Sequence, residues 1–388
     1  MISVITPTND TKYMQRAYAS LLAQTYQDWE WIVLLNGPAI WNAADERVKI
    51  HSTDTTGNVG ALKKEAFSLG NGEWLVELDH DDELLPECLA EIKKSKADFV
   101  YSDNIRVGDE LFSPVYGWET VQGPQPYVRS PDPLPSNLSR IWFAPDHVRA
   151  WRSSFYHKLG GHASMPVGDD HDLVCRSYLY GTVEHIEKPL YRYHVHGQNT
   201  WLQNADAIQD IMWQTHDKYF GAMQAKWCWE NHLRLIDLGG AIDSPFEFES
   251  YDRHNADIIG DLNDKWLLKD NSIGYFRAHD IVEHLKDPVH TMNEAYRCLT
   301  HGGLLDILVP STDGQGAWCD PTHVSFWNIR SFRYYTEANM RRYIEPECNV
   351  RFQVVKLVNV VMWGSVPYVH AQLLAIKDGP RYHGELLI

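Results

Sequence analysis

Four consecutive residues, Asp79-His80-Asp81-Asp82, place three carboxyl groups and an imidazole at the end of a short apolar segment, residues 73–78. Crowding like charges in this way costs free energy unless a cation or the N-terminus of a helix compensates for it. One interpretation is therefore a metal site. The other is that Asp81 or Asp82 caps a helix that begins near Glu83, since Asp is a favoured N-cap residue. The cluster by itself leaves both interpretations open.

The segments around this cluster alternate between strand and helix patterns. Apolar runs predict strands at residues 2–6, 29–35, 48–52, 73–78 and 99–103, and apolar residues at helical spacing predict helices at residues 12–25 and 58–69. Such alternation is typical of a parallel sheet, in which ligands bind beyond the carboxyl ends of the strands. Pro7, Asn36 and Asp79 all stand at such ends. We therefore expect them to face one crevice, which favours the metal site.

The overall composition limits what the chain can bind. With 388 residues and a formal charge of −17, it lacks the basic surface that a general nucleic-acid or anionic-membrane binder needs. Its six scattered cysteines contain no CxxC pair, which favours free thiols in a reducing compartment over disulfides or a zinc site. Met1 leads directly into a predicted strand, and no apolar run approaches the ~20 residues of a membrane span. We expect a cytoplasmic protein of two or three domains without a signal peptide.

Three ordered motifs in residues 1–205 resemble the inverting family 2 glycosyltransferases with the GT-A fold. They are ISVITPTND, Asn58-Val59-Gly60 and GEWLVELDHDD. The resemblance implies an α/β domain that binds a nucleotide-diphosphate sugar and transfers the sugar to a glycan acceptor, as in polysaccharide biosynthesis. It makes Asp79 and Asp81 an Asp-x-Asp element, with Asp81 the direct ligand of Mn²⁺ or Mg²⁺. Hard divalent ions prefer oxygen ligands and neutralise a leaving diphosphate.

The same resemblance implies donor contacts from the motif residues Pro7, Thr8, Asn58 and Asp79. The chain departs from the family at Asn36, where many members carry an acidic pair that holds the nucleoside. Asn36 can still hydrogen-bond a base or ribose, but the identity of the nucleotide stays open. Lys63 and Lys64 stand where the family often has arginine. Either lysine could reach the diphosphate; the alternative is that the pair lies on a solvated helix face.

A second acidic run, Val167-Gly168-Asp169-Asp170-His171-Asp172-Leu173, matches the G-E-D-x-D-L pattern that opens a helix in this family. The resemblance makes Asp170 the general base that deprotonates the acceptor hydroxyl, and Asp169 can exchange roles with it. A carboxylate near a metal and other carboxylates can be tuned to that task. The alternative is an aspartate that only caps the helix.

Two histidines, His194 and His196, lie in the segment YRYHVHGQNT, where family members often place a basic or imidazole group in a loop over the diphosphate. Because they alternate, they point the same way on an extended chain. We expect one of them to complete the metal shell, His196 in preference to His194.

Earlier in this domain, the Pro-, Gly- and aromatic-rich residues 114–135 predict a long irregular loop. It is either an acceptor loop that stacks on sugar rings or a mobile surface loop.

The strand pattern resumes after a predicted bridging helix at residues 204–229. The segment LRLIDLGG starts a second α/β domain, but G-x-G-x-x-G is absent, which disfavours a nicotinamide dehydrogenase. Further along, we predict a helix over residues 282–299 and a closing pair of antiparallel strands at residues 352–361 and 369–376.

Four ordered motifs in residues 230–376, DLGG, HDIVEHL, YRCLTHGG and DPTH, resemble the class I S-adenosylmethionine-dependent methyltransferases, which are Rossmann-like. The resemblance implies that Asp237-Leu238-Gly239-Gly240 passes close to the methionine and ribose of S-adenosylmethionine, where a Cβ would block the approach. Asp252 would accept hydrogen bonds from both ribose hydroxyls. Asp261 would bind the exocyclic amine of the adenine. Ala241, where a third glycine is common, is a departure from the family.

Three further residues are candidates for the methyl-transfer chemistry. The resemblance implies that His279 lies beside the sulfonium end of the site. Asp320 and His323 are candidate bases for an acceptor hydroxyl, which must lose a proton as the methyl group arrives. The alternatives are a turn aspartate before Pro321 and a histidine packed under Trp327.

These features predict a bifunctional glycan-modifying enzyme with an inverting glycosyltransferase domain at residues 1–205, a helical bridge at residues 206–229 and a methyltransferase domain at residues 230–388. The second domain would O-methylate a sugar hydroxyl. The alternatives are a glycan-binding scaffold and a glycosyltransferase with a non-catalytic methyltransferase-like domain. The donor sugar, the acceptor, the methylated hydroxyl and the oligomeric state stay open.

Overall fold

The computed structural model describes residues 1–108, 119–121, 123, 125–141, 144–196, 199, 203–240, 244–245 and 247–379. The chain divides into two compact units, Met1–Met223 and Gln224–Ile388. The division falls inside the helix Ala205–Glu230. The presence of this helix confirms the one predicted at residues 204–229.

The first unit is built on one mixed sheet. Its strands within the described residues are β1 Ile2–Thr8, β2 Trp29–Asn36, β3 Val48–Thr53, β4 Trp74–Glu77, β5 Glu83–Leu84, β6 Phe99–Val107, β7 Glu119–Val121, β8 Tyr127–Arg129, β9 Arg149–Arg152 and β10 Val183–His194. The order is β3-β2-β1-β4-β9-β6-β10-β5, with β7 and β8 paired beside β6. Strands β1 to β4 are parallel, as predicted, whereas β9 is antiparallel to both β4 and β6.

Helices of the first unit pack on this sheet. Those in the described residues are Met14–Leu22, Val59–Ser68, Cys88–Lys94, Pro135–Arg140, Ser153–Lys158, Asp169–Tyr180 and Ala205–Glu230. The helix Val59–Ser68 begins at Asn58, whose side-chain oxygen accepts a hydrogen bond from the Ala61 N–H at 2.8 Å. A cap of this kind satisfies one of the N–H groups that the first helical turn leaves unpaired.

Strand β2 shows how the sheet is stabilised, because all of its residues are buried. Successive side chains point to opposite faces. Trp31 and Val33 join one apolar cluster, while Ile32 and Leu34 join the other. Burying each such apolar side chain contributes roughly 1.5–3 kcal/mol. Since both faces of the strand are covered, a ligand can approach it at its ends.

The prediction that Asp82 starts the next helix is wrong. The two residues after it, Glu83–Leu84, form strand β5, which pairs antiparallel with β10. The next helix, Cys88–Lys94, begins only after Glu87. Pairing with β10 satisfies the backbone here, and Pro86 disfavours helical geometry in the residue before it.

The loop predicted at residues 114–135 is not wholly irregular. Strands β7 and β8 form an antiparallel pair inside it. Tyr116 and Trp118, two of the aromatic residues that suggested stacking on sugar rings, lie outside the described residues.

The second unit contains a separate sheet of seven strands in its described residues. They are β11 Arg234–Leu238, β12 Glu249–Asp252, β13 Ile258–Ile259, β14 Ile273–His279, β15 Leu299–Pro310, β16 Phe352–Met362 and β17 Val366–Ala375. The order is β13-β12-β11-β14-β15-β17-β16, so the chain passes from one side of β11 to the other between β12 and β14. Such a reversal is a topological switch point, where open α/β sheets bind ligands. Strand β17 is antiparallel to both β15 and β16, which confirms the predicted closing pair.

The single helix predicted over residues 282–299 is wrong. A 3₁₀ turn, Val282–His284, is followed by a separate helix, Pro288–Cys298. Pro288 has no N–H to continue a helix from the preceding turn. Asp287 caps the new helix, accepting hydrogen bonds from Val289 N and His290 N at 2.9 and 3.1 Å. Other helices of the second unit are Gly316–Cys319, Ile329–Thr336 and Ala338–Arg341.

All six cysteines are free thiols, as predicted. A search of the described residues found no helix that combines the length and the apolar character needed to cross a membrane.

Candidate functional site

The carboxyl ends of β1, β2 and β4 open into a crevice of about 970 Å³. Its walls include Pro7, Asn36 and Asp79, so the prediction that these three residues face one crevice is confirmed. The other residues that the sequence pointed to and that line it are Thr8, Asn58, Lys63, Asp81, Asp82, Asp169, Asp170 and His196.

The acidic turn forms a compact set of oxygen ligands. Asp79, Asp81 and Asp82 each present a carboxylate oxygen, and the three oxygens lie within 4.8 Å of one another. Asp81 and Asp82 are buried, whereas Asp79 is more open, with its side chain 37% exposed. Negative charges at this spacing repel one another, and a divalent cation would relieve the repulsion. The residues present therefore fit Mn²⁺ or Mg²⁺.

Asp82 anchors the turn to β10. It accepts hydrogen bonds from the Tyr191 hydroxyl at 2.9 Å and from the His194 N–H at 2.7 Å. Burial, together with the neighbouring Asp79 and Asp81, raises the pKa of Asp82 well above its usual range. Asp82 therefore positions the turn, which leaves Asp79 and Asp81 to meet a ligand.

The two histidines bind different carboxylates. His196 Nε2 lies 2.6 Å from Asp81 Oδ2, whereas His194 Nε2 lies 2.8 Å from Glu83 Oε2. That both point the same way stays a prediction, and His196 lies just beyond the end of β10 at His194. Only His196 of the two is among the residues that line the crevice.

A buried ion network lies beside the acidic turn. Its centre is Glu77, which is 1% exposed and lies 2.9 Å from Arg149 Nε and in contact with Lys63 Nζ. Although burial opposes ionisation, Arg149 and Lys63 hold the pKa of Glu77 well below its usual range. The Lys63 side chain is 13% exposed, so the interpretation of Lys63 as part of a solvated helix face is wrong; Lys64 alone is exposed.

The paired aspartates open the helix Asp169–Tyr180 and differ in their surroundings. Asp170 Oδ2 accepts a hydrogen bond from Arg149 Nη1 at 2.7 Å. Against the effect of burial, Arg149 and Lys63 hold the pKa of Asp170 below its usual range. Asp169 has no such partner: its Oδ2 is buried without a hydrogen bond, and burial raises its pKa to about 7. The Asp170 side chain is 24% exposed and that of Asp169 is 3% exposed, so Asp170 has the better access to an acceptor.

Gly60 brings this helix against the start of the preceding one. A Cβ on Gly60 would lie 1.9 Å from the Ala163 carbonyl oxygen and 2.8 Å from Asp169 Cβ. Its N–H also donates to the Met165 carbonyl at 3.0 Å. The glycine of the N-x-G motif is thus required for close packing that positions the aspartate pair.

The two asparagines of the crevice differ in how many of their hydrogen bonds are already made. Among the described residues, Asn36 Oδ1 is buried and accepts no hydrogen bond, which leaves it available to a ligand. Asn58 is already engaged: its oxygen caps a helix and its Nδ2 donates to Ser164 Oγ at 3.1 Å.

The sequence did not reveal His147, which lies between Asp79 and the ion network. Its Nε2 is 3.6 Å from Asp79 Oδ2 and 2.9 Å from Arg149 Nη2, and its Nδ1 lies 3.3 Å from Asp146 Oδ1. Although burial and Arg149 oppose it, the carboxylates of Asp79, Glu77 and Asp146 raise the pKa of His147 to about 10. The alternation of His147 and Arg149 at the start of β9 is a signal that could have found both, since alternate residues of an extended chain share one side.

In the second unit, the loop Asp237–Gly240 ends β11 at the switch point. Asp237 is 1% exposed, and both its oxygens accept from Arg277 Nη1, at 3.0 and 2.9 Å. Gly239 has a φ of +79°, and a Cβ on Gly240 would lie 2.4 Å from Asp237 Oδ2. Both glycines are needed for this tight loop, and Asp237 serves mainly to hold it through Arg277.

The other two aspartates implied for cofactor binding lie near the ends of neighbouring strands. Asp252 ends β12 and accepts a long hydrogen bond, 3.3 Å, from the His254 N–H. Asp261 Oδ1 accepts from the backbone N–H and the side chain of Asn263, at 2.8 and 2.9 Å. The backbone hydrogen bond is the main cause that lowers the pKa of Asp261 to about 2. Asp252 keeps more free hydrogen-bonding capacity than Asp261.

Two of the three candidate catalytic residues of this unit lie together, since His323 Nε2 is 4.0 Å from Asp320 Oδ2. His279 ends β14, with Nε2 3.9 Å from Asp306 Oδ2. Asp320 accepts hydrogen bonds from the Thr322 N–H and hydroxyl, at 2.8 and 2.6 Å, as a turn aspartate does. The ring of His323 packs against that of His284, with centroids 4.9 Å apart.

Residues 3–160 match the family model described as Glycosyl transferase family 2. The chondroitin synthase of Pasteurella multocida (strain Pm70) is 26% identical over 223 residues, 53% of this chain and 22% of that protein. The chondroitin synthase of Escherichia coli is 28% identical over 222 residues, 53% of this chain and 30% of that protein. This chain thus spans less than a third of the length of either relative.

Among solved structures, S. aureus TarS 1-349 in complex with UDP-GlcNAc is similar at 15% identity and a TM-score of 0.39, over 56% of this chain and 73% of that one. Residues 3–160 of the first unit are therefore similar to family 2 glycosyltransferases, and they contribute strands and helices to its mixed α/β sheet.

Proposed function

We propose that the first unit, with its family 2 glycosyltransferase domain, transfers a sugar with inversion from a nucleotide diphosphate to a glycan acceptor in polysaccharide synthesis. The observation that carries the proposal is the crevice in which the acidic turn, the Asp169–Asp170 pair and the unpartnered Asn36 meet. An acidic turn that only capped a helix would have a helix directly after it. The next helix among the described residues is Cys88–Lys94, which does not begin at the turn.

At the donor end, Asn36 would accept a hydrogen bond from the base or ribose. Asp79, Asp81 and His196 would hold Mn²⁺ or Mg²⁺, an ion that neutralises the charge of a leaving diphosphate. Pro7 and Thr8 end β1 and would bound the nucleotide from the side.

At the acceptor end, Asp170 would take the proton of the attacking hydroxyl. Its ion pair with Arg149 fixes the carboxylate in one orientation and keeps it ionised. Such a carboxylate is a weak base, so it would act as the hydroxyl attacks rather than before. Asp169, with a pKa of about 7, is the stronger base but is nearly inaccessible.

For the second unit, we propose S-adenosylmethionine-dependent O-methylation of a sugar hydroxyl. The supporting observation is a glycine loop at the switch point of the sheet, with Asp252 at the end of the adjacent strand. S-adenosylmethionine would supply an electrophilic methyl group. Gly239 and Gly240 would allow the backbone to approach S-adenosylmethionine closely. Asp252 would bind the ribose diol, and Asp261 would lie beside the adenine.

The two activities are tested separately on the full chain. A thermal-shift panel of nucleotide sugars with Mn²⁺ should identify the donor, because a ligand of the folded state raises the melting temperature by mass action. Hydrolysis or transfer of that donor should depend on Mn²⁺ and disappear in Asp81→Ala, but persist in Asp313→Ala, which removes an exposed carboxylate of the second unit. Donor binding without turnover under any metal would instead support a glycan-binding scaffold.

A further inference from the structure

Three metal-ligating side chains meet in the second unit. Glu283 and His284 belong to the 3₁₀ turn Val282–His284 that follows β14, and His323 lies in the loop after the helix Gly316–Cys319. Each offers one ligand atom, and the three atoms lie within 4.8 Å of one another. His323 Nε2 is 3.9 Å from Glu283 Oε1. Two atoms that each bind one ion at ~2.1 Å can be at most about 4.2 Å apart, so this pair already has a suitable spacing.

Hydrogen bonds orient the two imidazole rings for metal binding. His323 Nδ1 lies 3.0 Å from the Ala317 carbonyl oxygen, and His284 Nδ1 lies 3.2 Å from the Thr322 carbonyl oxygen. A carbonyl oxygen can only accept, so each Nδ1 carries the proton and each Nε2 keeps its lone pair. Metal-ligating histidines are held in this way, with the distal N–H donated to a carbonyl or carboxylate.

The Thr322 hydroxyl supports the same assignment. It donates to Asp320 Oδ1 at 2.6 Å, so its proton is committed. Its oxygen, 3.1 Å from His284 Nδ1, therefore accepts from that nitrogen. Asp320, a candidate base in the sequence, thus helps to fix the tautomer of His284.

Glu283 supplies the second, independent observation. It is 2% exposed, and its Oε2 is buried without any hydrogen-bond partner. Burial raises the pKa of Glu283 to about 8, with a smaller contribution from the charges of Asp280 and Asp320. A buried carboxyl group without a partner costs free energy, which a bound cation would recover.

We propose that Glu283, His284 and His323 bind a divalent transition-metal ion such as Zn²⁺ or Fe²⁺. Two imidazoles and one carboxylate are the ligand set of His₂Glu zinc sites and of 2-His-1-carboxylate iron sites. The acidic turn of the first unit differs, since its oxygen-rich set suits Mn²⁺ or Mg²⁺.

Three protein ligands leave coordination positions open, as in catalytic rather than structural zinc sites. If the second unit methylates a sugar, the open position would take the acceptor hydroxyl and lower its pKa. That role rests on the proposed methyl transfer, whereas metal binding does not.

The competing interpretation is that His323 is a free base and Glu283 its neighbour, with no metal. Zn²⁺ titration by calorimetry and metal analysis after dialysis distinguish the two. The full chain should carry Asp81→Asn throughout, so that the acidic turn of the first unit contributes little binding. Relative to this parent, we expect Glu283→Gln or His323→Asn to remove one equivalent of bound Zn²⁺ or to weaken its binding at least tenfold.

His254→Ala serves as the matched control, because it removes an exposed imidazole of the same unit. Circular dichroism shows whether each variant is folded, and His284→Asn provides a further test if Glu283→Gln does not fold. Stoichiometric Zn²⁺ binding that survives in His323→Asn and His284→Asn, or no binding by the parent protein, would overturn the proposal. If the parent protein binds Zn²⁺ at this site but transfers no methyl group, the proposed methyl transfer is wrong and the metal site stands.

Discussion

Arg149 donates a hydrogen bond from Nη1 to Asp170 Oδ2 at 2.7 Å while its Nε lies 2.9 Å from Glu77. One buried guanidinium therefore links the strand that leads into the acidic turn with the helix that carries the candidate base. Because Arg149 is buried and hydrogen-bonded to Asp170, it holds this carboxylate ionised and in one orientation.

The first prediction concerns Asp170 as the general base. Asp170→Asn should lower kcat for sugar transfer by about 10²–10⁴, the usual contribution of general base catalysis, with little change in donor affinity. Because the pKa of Asp170 is held below its usual range, the wild-type rate should not fall with acid until well below pH 5. Initial rates across pH 5–9 check both points. Asp169→Asn is the matched control, and a greater loss in that variant would assign the base to Asp169.

The second prediction concerns stability and the buried Asp169. Its folded-state pKa, about 7, is raised above the ordinary value of 3.8, so the folded protein binds this proton more tightly than the unfolded chain does. Stability should therefore fall as pH rises from about 4 to 7, with an upper bound of about 4 kcal/mol. Asp169→Asn removes this penalty and should raise Tm at pH 8 but not at pH 4.

Thermal melts at the two pH values measure the difference. The exposed Asp54→Asn is the control and should shift Tm equally at both. An Asp169→Asn variant that melts below the wild type at pH 8 would show that the carboxylate stabilises the network.

The third prediction separates the two histidines after the acidic turn. His196 bonds Asp81, so His196→Asn should raise the Mn²⁺ concentration needed for half-maximal activity by about tenfold, the effect of losing one metal contact. His194→Asn is the matched control: His194 bonds Glu83, and we expect less than a twofold change. Activity after chelation and stepwise return of Mn²⁺ measures both. Equal effects of the two substitutions would contradict this division.

The fourth prediction concerns Gly60. Gly60→Ala should destabilise the protein by about 1–3 kcal/mol and lower kcat, because its Cβ meets the backbone at Ala163 and the side chain of Asp169. Denaturant unfolding and transfer rates measure the two effects. At Gly123, where an added Cβ has no neighbour within 4 Å among the described residues, the same substitution should leave stability within about 0.5 kcal/mol.

The crevice could be predicted from the sequence, whereas the buried ion network of Glu77, Arg149 and Asp170 beside it could not. The ends of parallel strands are encoded locally, by apolar runs followed by Pro7, Asn36 and Asp79, and the rules of sheet topology bring them together. The partners of Glu77 and Asp170 are not encoded locally. Arg149 lies 72 positions after Glu77 in the chain and reaches it only because β9 runs antiparallel beside β4.

Two errors arose where tertiary contacts override local propensity. Asp82 has the residue type of a helix cap, yet Tyr191 and the His194 N–H bind its carboxylate, and β5 pairs with β10. The sequence predicts one helix from residue 282, but Pro288 cannot continue a helix from the preceding turn, so Glu283 and His284 lie on a separate 3₁₀ turn. Their meeting with His323, about forty residues away, is a property of the folded chain.

The last prediction tests the second unit. S-adenosylmethionine should give saturable heat on titration into the wild type, and Asp252→Ala should weaken binding at least tenfold, because the ribose diol loses a two-oxygen acceptor. Gly240→Val should also abolish binding, since even a Cβ would lie 2.4 Å from Asp237 Oδ2. Asp264→Ala, which removes an exposed carboxylate of the same unit, is the control and should bind normally. If the wild type gives no saturable heat while nucleotide-sugar transfer is intact, the chain is a glycosyltransferase whose second unit binds something else.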